Sequence, residues 1–457
     1  MIEISFIDLF KRNKKIVLFS LMAIVTFTTW FLNINEFINL SIYIVLLIVL
    51  LIFKAKTKTL VMFALFTVMS QNDPAILEYF DNLYFKKYNT NIEALKEYYV
   101  ILYIVIIFLV GVVALIRTIK AKKVLKGRLL IPMALLTTYG LITLLWAPSF
   151  VPGISELSFF IQGYLVYLFV RNEEDEKTNF YNFSWFLSLI LLVLSFQYLT
   201  VYLKYPGDNK SPLYHLWANP NIVAAVFGIT YIPSLYKYCA NERKKWTLLY
   251  LPIEIFIIWA IVKSQSTGLH YGFIAGALFI PVMFVKNRKV LYGIIGSAIL
   301  LFIAFLVIVV RLEDQFPDIY NKLNEFSTSR FDIYKEALEQ LKSPKDYIFG
   351  LGLGYDRSVI NVNFFHSWFF QVLVNRGFIG ITILAVLIYL VIEVLDESED
   401  NFRYFLAIGI IIYLAHGITD AGFDYQYLGV FFYLMIALVE KNNAINYQTK
   451  EIVAKIQ

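Results

Sequence analysis

The sequence predicts an all-α polytopic membrane protein. Three observations carry that class. Apolar residues make up 59% of the 457 residues, charged residues only 16%, and the apolar residues come in repeated long runs. Soluble domains average about 25% charged residues. A transmembrane helix needs roughly 17–25 mainly apolar residues, and the mean hydropathy of +0.66 fits a chain built largely of such runs. A β-barrel would show alternating segments of about ten residues, a pattern the sequence lacks.

Runs of spanning length fall at 16–32, 37–53, 57–70, 98–119, 129–146, 154–170, 180–203, 219–238, 246–262, 268–285, 290–310, 378–395, 402–417 and 425–439. They give about 14 transmembrane helices, or 12 without the short third and last runs. Lys and Arg placement sets the orientation. With a cytoplasmic N-terminus, 26 of the 40 basic residues fall in inner segments. Of the 14 left outside, eight lie between Arg311 and Arg376. Both termini are therefore expected in the cytoplasm, and the segment 311–377 outside it.

The chain reads as one membrane domain over 1–457, with an extracytoplasmic loop at 311–377 carrying amphipathic helices. A polar cytoplasmic tail, 441–457, is expected to fray. No small-residue cleavage site follows the first apolar run, so its helix is expected to remain as an anchor. The single cysteine, Cys239, excludes an intrachain disulfide framework. It is expected to pack at an inner helix end. Glu254, after Pro252, is the main carboxylate inside the membrane and is expected to be an internal hydrogen-bonding partner.

The outer segment holds the polar chemistry. Arg330, Phe331, Tyr334, Ala337, Leu338 and Leu341 recur at helical spacing and predict an amphipathic helix. Ser329 reads as its N-cap, with Asp332 imitating a capping box. Ser343-Pro344 is expected to stop it. Arg330 falls in the first turn, where the helix dipole opposes a cation by about a few tenths of a kcal/mol or more. A solvated arginine would sit as well one turn later, so the position favours an anion-binding role. Every outward arginine (Arg311, Arg330, Arg357, Arg376) lies in or beside this segment. Arginine's planar fork binds phosphate bidentately and keeps its charge near lipid.

Gly350, Gly352 and Gly354 suit a turn where backbone approaches something closely. No Lys-Ser/Thr follows and no βαβ unit surrounds them, so tight packing is a better reading than a nucleotide loop. The four histidines, His215, His270, His366 and His416, all fall near outer helix ends. None has metal-ligand spacing, and no metal site is expected. Histidine is the usual proton acceptor near neutral pH, although spacing alone leaves each of them equally able to be structural.

Three blocks between about Ala218 and Gly380 resemble the O-antigen ligase and Wzy-type polysaccharide polymerase superfamily. Asn219-Pro220-Asn221 opens a helix as the family's N-P-N-like element does. Ser264-Gln265-Ser266-Thr267-Gly268 resembles its outer-face serine–glycine turn. The most specific block runs Ser329-Arg330, Ala337, Pro344, Gly350-Leu-Gly352-Leu-Gly354, His366-Ser367 and Arg376-Gly377. Two positions depart from the pattern: Thr267 stands where many members carry arginine, and Ser367 where many carry asparagine. Lys263 or a neighbouring arginine is a candidate for the missing charge.

The resemblance implies glycosyl transfer at the outer face of the cytoplasmic membrane. The donor would be a glycan linked through diphosphate to an undecaprenyl-type lipid, and the acceptor a sugar hydroxyl. It makes His366 the base and Arg330 the first cation on the diphosphate. Arg376 and Arg357 are the next cations, with Lys263, Ser266, Thr267, Asn219, Asn221 and Tyr334 as further substrate contacts. Asn219 and Asn221 serve equally as helix caps, and Tyr334, Trp368 and Phe369 equally as packing. Direct displacement would invert the anomeric carbon. Prenyl diphosphate already leaves well, so no nucleotide, metal or other cofactor is expected, and no nucleic acid. The expected product is a surface polysaccharide such as capsule, with a chain-length regulator as a possible partner. The alternatives are transfer of finished glycan by a ligase and transport of lipid-linked sugars.

Overall fold

The computed structural model describes residues 14–31, 36–70, 90–120, 125–173, 177–204, 220–240, 250–285, 316–326, 329–356, 365–419 and 426–456, with Val290, Gly293, Ser297 and Ala304. Among them every regular element is helical. The helices are α1 (Lys14–Phe31), α2 (Glu36–Ile52), α3 (Thr57–Met69), α4 (Thr90–Lys120), α5 (Leu130–Thr143), α6 (Phe150–Asn172) and α7 (Phe180–Lys204). Then come α8 (Pro220–Ser234), the short α9 (Tyr236–Cys239), α10 (Leu251–Lys263) and α11 (Thr267–Phe279). The polar segment holds α12 (Pro317–Phe326), α13 (Arg330–Glu339) and α14 (Pro344–Phe349), followed by α15 (Trp368–Asp396), α16 (Phe402–Ile418) and α17 (Gln426–Ile456).

Six of these stretches are long and apolar enough to cross a membrane: Leu102–Lys120, Phe150–Asn172, Phe180–Leu199, Asn221–Cys239, Trp368–Asp396 and Leu428–Glu451. Shorter apolar helices lie at Leu18–Thr28, Leu40–Ile52, Thr57–Met69, Leu130–Trp146, Thr267–Met283 and Phe402–Ile418. The expected run at 246–262 corresponds to α10, and that at 290–310 falls almost wholly outside the described residues. The protein is thus an all-α membrane protein.

Burial follows from which helices sit inside. α3 is buried along its whole length, and α17 is buried from Leu428 to Asn442. α17 lies along α6, and α16 lies between α8 and α11. On the outside, Val45, Ile48, Val49 and Ile52 of α2 and Val105, Phe108, Leu109, Val112 and Leu115 of α4 are exposed. Such apolar stripes would be an aggregation liability in water. Facing lipid tails, they need no partner.

Ion pairs gather at one end of the bundle. Arg128 reaches Glu397 at 2.6 Å and Glu393 at 3.6 Å. Arg171 meets Glu440 at 3.1 Å, and Arg117 meets Glu173 at 3.2 Å. Lys237 is buried against Glu254 at 2.6 Å, and also donates to Ser188. Its ammonium lies 5.2 Å from the Trp185 ring centre, while the Tyr238 hydroxyl donates to Glu254 at 2.8 Å. Glu254 is therefore held by a buried lysine.

Two expectations change here. The tail beyond Lys441 does not fray but continues as helix to Ile456, and Lys450 pairs with Glu399 beside it. That contact holds the Glu399 carboxyl below its usual range, through the lysine's hydrogen bond first. Cys239 is exposed rather than packed, because α9 ends there.

Removing one member of a buried pair strands the other charge, at a cost of about 3–5 kcal/mol. Lys237→Met is expected to lower the melting temperature of the detergent-solubilised protein sharply. The double variant Lys237→Met/Glu254→Gln should recover most of the loss.

Candidate active site

The last turn of a helix leaves up to four carbonyls without intrahelical partners. Around the end of α16 the polar segment supplies such a partner at Ile418 and bonds the carbonyls of Leu414 and Thr419 on either side of the last turn. Trp368 Nε1 donates to the Leu414 carbonyl at 3.0 Å. The Tyr334 hydroxyl lies 2.8 Å from the Ile418 carbonyl and 3.4 Å from that of His366. Arg330 Nε donates to the Thr419 carbonyl at 2.6 Å. Arg330 is thus tethered to Thr419, and the His366 carbonyl lies beside the Tyr334 hydroxyl, which is held on Ile418.

Arg330 does open α13, but Ser329 does not cap it. Ser329 is left-handed, at φ 61°, with no side-chain cap bond. Asp332 instead accepts from the Tyr320 hydroxyl at 2.8 Å and from Asn324, tying α13 to α12. The capping box lies one helix later. Ser343 caps α14 and Asp346 completes the box, so Ser343-Pro344 starts a helix as well as following one.

His366 lies in the turn before α15, half-buried and left-handed at φ 46°. A β-carbon at positive φ is uncommon outside Asn, Asp and His, and strain of this kind clusters at functional sites. α15 then runs from Trp368 with a break at Gly377, where φ is 60°. The expected membrane run at 378–395 is the part beyond that break.

The glycine turn is a packing device. Gly350, Gly352 and Gly354 have φ of 76°, 103° and 74°. A β-carbon on Gly352 would lie 2.5 Å from Ala147 Cα, and one on Gly354 2.6 Å from Gly153 N. Leu351 N donates to the Val374 carbonyl at 2.7 Å, and Gly352 N to that of Asn375 at 3.2 Å. The turn is thereby wedged between α15 and the start of α6. There Glu156 accepts from Gly354 N and Asn375 Nδ2, both at 3.0 Å, and pairs with Arg376 at 3.4 Å. The Arg376 guanidinium stacks 3.8 Å from the Phe160 ring centre.

The two weaker sequence blocks meet on α11. Ser266 caps that helix by accepting from Leu269 N. Its hydroxyl also lies 2.9 Å from Asn221 Oδ1 at the start of α8. Gly268 follows, and a β-carbon there would lie 2.5 Å from Thr419 Oγ1 and 3.2 Å from His416 Cδ2. The α10–α11 turn therefore abuts the residue that holds Arg330. Thr267 is exposed beside it. The Lys263 ammonium lies over the Tyr202 ring at 5.3 Å.

Arg330, His366, Ser266, Thr267 and Asn221 all bear on one region around the end of α16. Arg376 does not present itself there as a surface cation: its side chain is 1% exposed and faces Glu156. Tyr334 is buried too, with its ring stacked on Phe370 at 4.6 Å, so it packs rather than offering a face to a sugar. Trp368 packs against α16 in the same way. Asn219 and Arg357, and likewise Arg311 and His215, lie outside the described residues. Glu156 and Thr419 were missed. A carboxylate in the apolar run 154–170 was a usable signal for Glu156. Nothing in the sequence marks a backbone carbonyl such as that of Thr419.

These features define a polytopic membrane protein with a polar site where several helix ends meet. A family profile described as O-antigen ligase matches residues 253–385, from α10 into α15. Over that stretch the chain is similar to the O-antigen ligase and Wzy-type superfamily, whose members are membrane enzymes of the ligase and polymerase kind. No curated protein matches the chain.

Gly354→Ala combines a left-handed backbone with contact against Gly153, and is expected to unseat the turn. Limited proteolysis between residues 350 and 364 should quicken severalfold, with the overall helical circular dichroism unchanged.

Proposed function

We propose that this protein is a glycosyltransferase that polymerises oligosaccharide repeat units carried on polyprenyl diphosphate, at the outer face of the cytoplasmic membrane. The observation carrying this reading is the arrangement around the end of α16. Arg330, a cation in the family-matched segment, is held on Thr419 at the end of α16, and the left-handed turn of His366 lies against Tyr334, which is held on the neighbouring Ile418.

The chemistry follows from that pair. His366 takes the proton of the acceptor hydroxyl as its oxygen attacks the donor's anomeric carbon. The bond from that carbon to the diphosphate breaks, and the prenyl diphosphate leaves with its electron pair. Arg330 meets the charge growing on the phosphates, where a fixed cation lowers the barrier most. Attack opposite the leaving group inverts the anomeric carbon. Thr267, next to the Gly268 that abuts this helix end, and Lys263 across the α10–α11 turn would line the donor's approach, with Ser266 and Asn221 holding that turn in place. Neither nucleotide nor metal has a step to perform. Transfer of finished glycan to another acceptor uses the same residues, and the family's description as O-antigen ligase favours it as the second reading.

Purified protein given lipid-diphosphate oligosaccharide should build ladders of products on single carriers without nucleotide or divalent cation. One transfer per carrier, onto a different acceptor, would make it a ligase. His366→Ala should lower the rate by about 10²–10⁴, the usual worth of a general base. Near-wild-type turnover with an intact fold refutes the assignment. Arg330→Lys should rescue poorly, since a point charge does not replace the planar fork. Sidedness can be read in one chain: a cysteine introduced by Asp346→Cys should label from outside, and Cys239 from the cytoplasm.

A further inference from the structure

We infer that Glu156 is a positioning residue for the transfer site: its carboxylate clamps the two ends of the segment that carries His366. The inference rests on the reading of that site as the transfer site. Glu156 lies on α6, almost a hundred residues before the family-matched stretch of 253–385.

Its side chain is buried, at 3% exposure, and both oxygens are engaged. Oε2 accepts from the Gly354 amide and from Asn375 Nδ2, each at 3.0 Å. Oε1 faces Arg376 Nη2 at 3.4 Å. Gly354 closes the glycine turn before His366, and Asn375-Arg376 stand just ahead of the break at Gly377. One carboxylate thus fixes both flanks of the stretch 355–374. Phe160, one helical turn along α6, receives the Arg376 guanidinium on its ring, so α6 presents a seat as well as a charge. Asn375 Nδ2 also reaches Asp356 at 3.1 Å, which ties the residue after the turn into the same cluster.

Charge-assisted bonds of this kind are about twice as strong as neutral ones. A carboxylate bound to three donors holds them in one geometry; an amide in its place cannot accept from all three, because its NH2 end repels a guanidinium. His366 must meet a hydroxyl within hydrogen-bond reach, and a displacement of about 1 Å costs on the order of 10² in rate. Losing Glu156 therefore acts on turnover through position.

The test uses the full-length protein in nanodiscs, with Glu156→Gln, Glu156→Asp and Glu156→Gln/Arg376→Met. Amide hydrogen exchange of Gly354 and of residues 368–376 reads the clamp directly. Glu156→Gln should speed it by about tenfold or more, as expected for a lost bond to a charged group, with α8 and α17 unchanged. In the elongation assay kcat should fall by about 10² with KM for the lipid-linked donor nearly constant. Glu156→Asp, which keeps the carboxylate, should fall between it and the wild type. It also stands in for Glu156→Gln if that variant fails to fold. The double variant removes the stranded cation. If it restores kcat, only charge balance mattered and the clamp is overturned. Wild-type exchange and turnover in Glu156→Gln overturn it as well, and so does faster exchange throughout the bundle. Absence of elongation by the unsubstituted protein would count against the proposed function, while the exchange measurement would still decide the clamp.

Discussion

The polar segment depends on the end of α16. The last turn of a helix leaves carbonyls that its own backbone cannot satisfy, and side chains can meet them. In this protein side chains of the segment bond three carbonyls around that end: an indole on Leu414, a phenol on Ile418 and a guanidinium on Thr419. The same bonds that complete α16 fix Trp368, Tyr334 and Arg330 in space. A cation beside a helix C-terminus is also favoured by the dipole. Arg330 therefore occupies the unfavourable end of its own helix and the favourable end of another.

The segment has a second anchor of different character. Near α16 the contacts are to backbone carbonyls, which fix a side chain without adding a countercharge. On α6 the anchor is a carboxylate, which pairs with the arginine it holds. The two arginines of the most specific sequence block are consequently not equivalent. Arg376, buried against Glu156 and stacked on Phe160, belongs to the scaffold. Arg330 is half-buried at the start of α13, with its Nε on the Thr419 carbonyl after α16 and no carboxylate in that bond. His366 lies between the two anchors in the chain.

Much of this was legible in the residues, for identifiable reasons. Apolar runs give helices because a bilayer admits little else, and α1–α8, α10, α11, α15, α16 and α17 lie where runs were read. The glycine turn was legible because only glycine tolerates three left-handed positions so close to other backbone. The errors concern partners distant in sequence. Ser329 has the composition of a cap, yet the chain enters α13 left-handed because Asp332 is committed to Tyr320 and Asn324. Tyr334 has the amphipathic look of a sugar platform, yet Phe370 and Ile418 claim its ring and hydroxyl. Arg376 reads as a surface cation until Glu156, 220 residues away, is seen against it.

The position of Thr267 can be argued from these contacts. Thr267 puts a short side chain at the first turn of α11, directly after the cap Ser266. The turn is already crowded: Ser266 is bonded to Asn221, and Gly268 lies against Thr419 and His416. A long side chain at 267 would project from the same turn that abuts the carbonyl holding Arg330. Lys263, at the end of α10 across the turn from Thr267, holds its ammonium above Tyr202. An aromatic face attracts an ammonium without neutralising it. The serine–glycine turn thus meets the end of α16 through Gly268, where no side chain fits, while Thr267 beside it stays exposed.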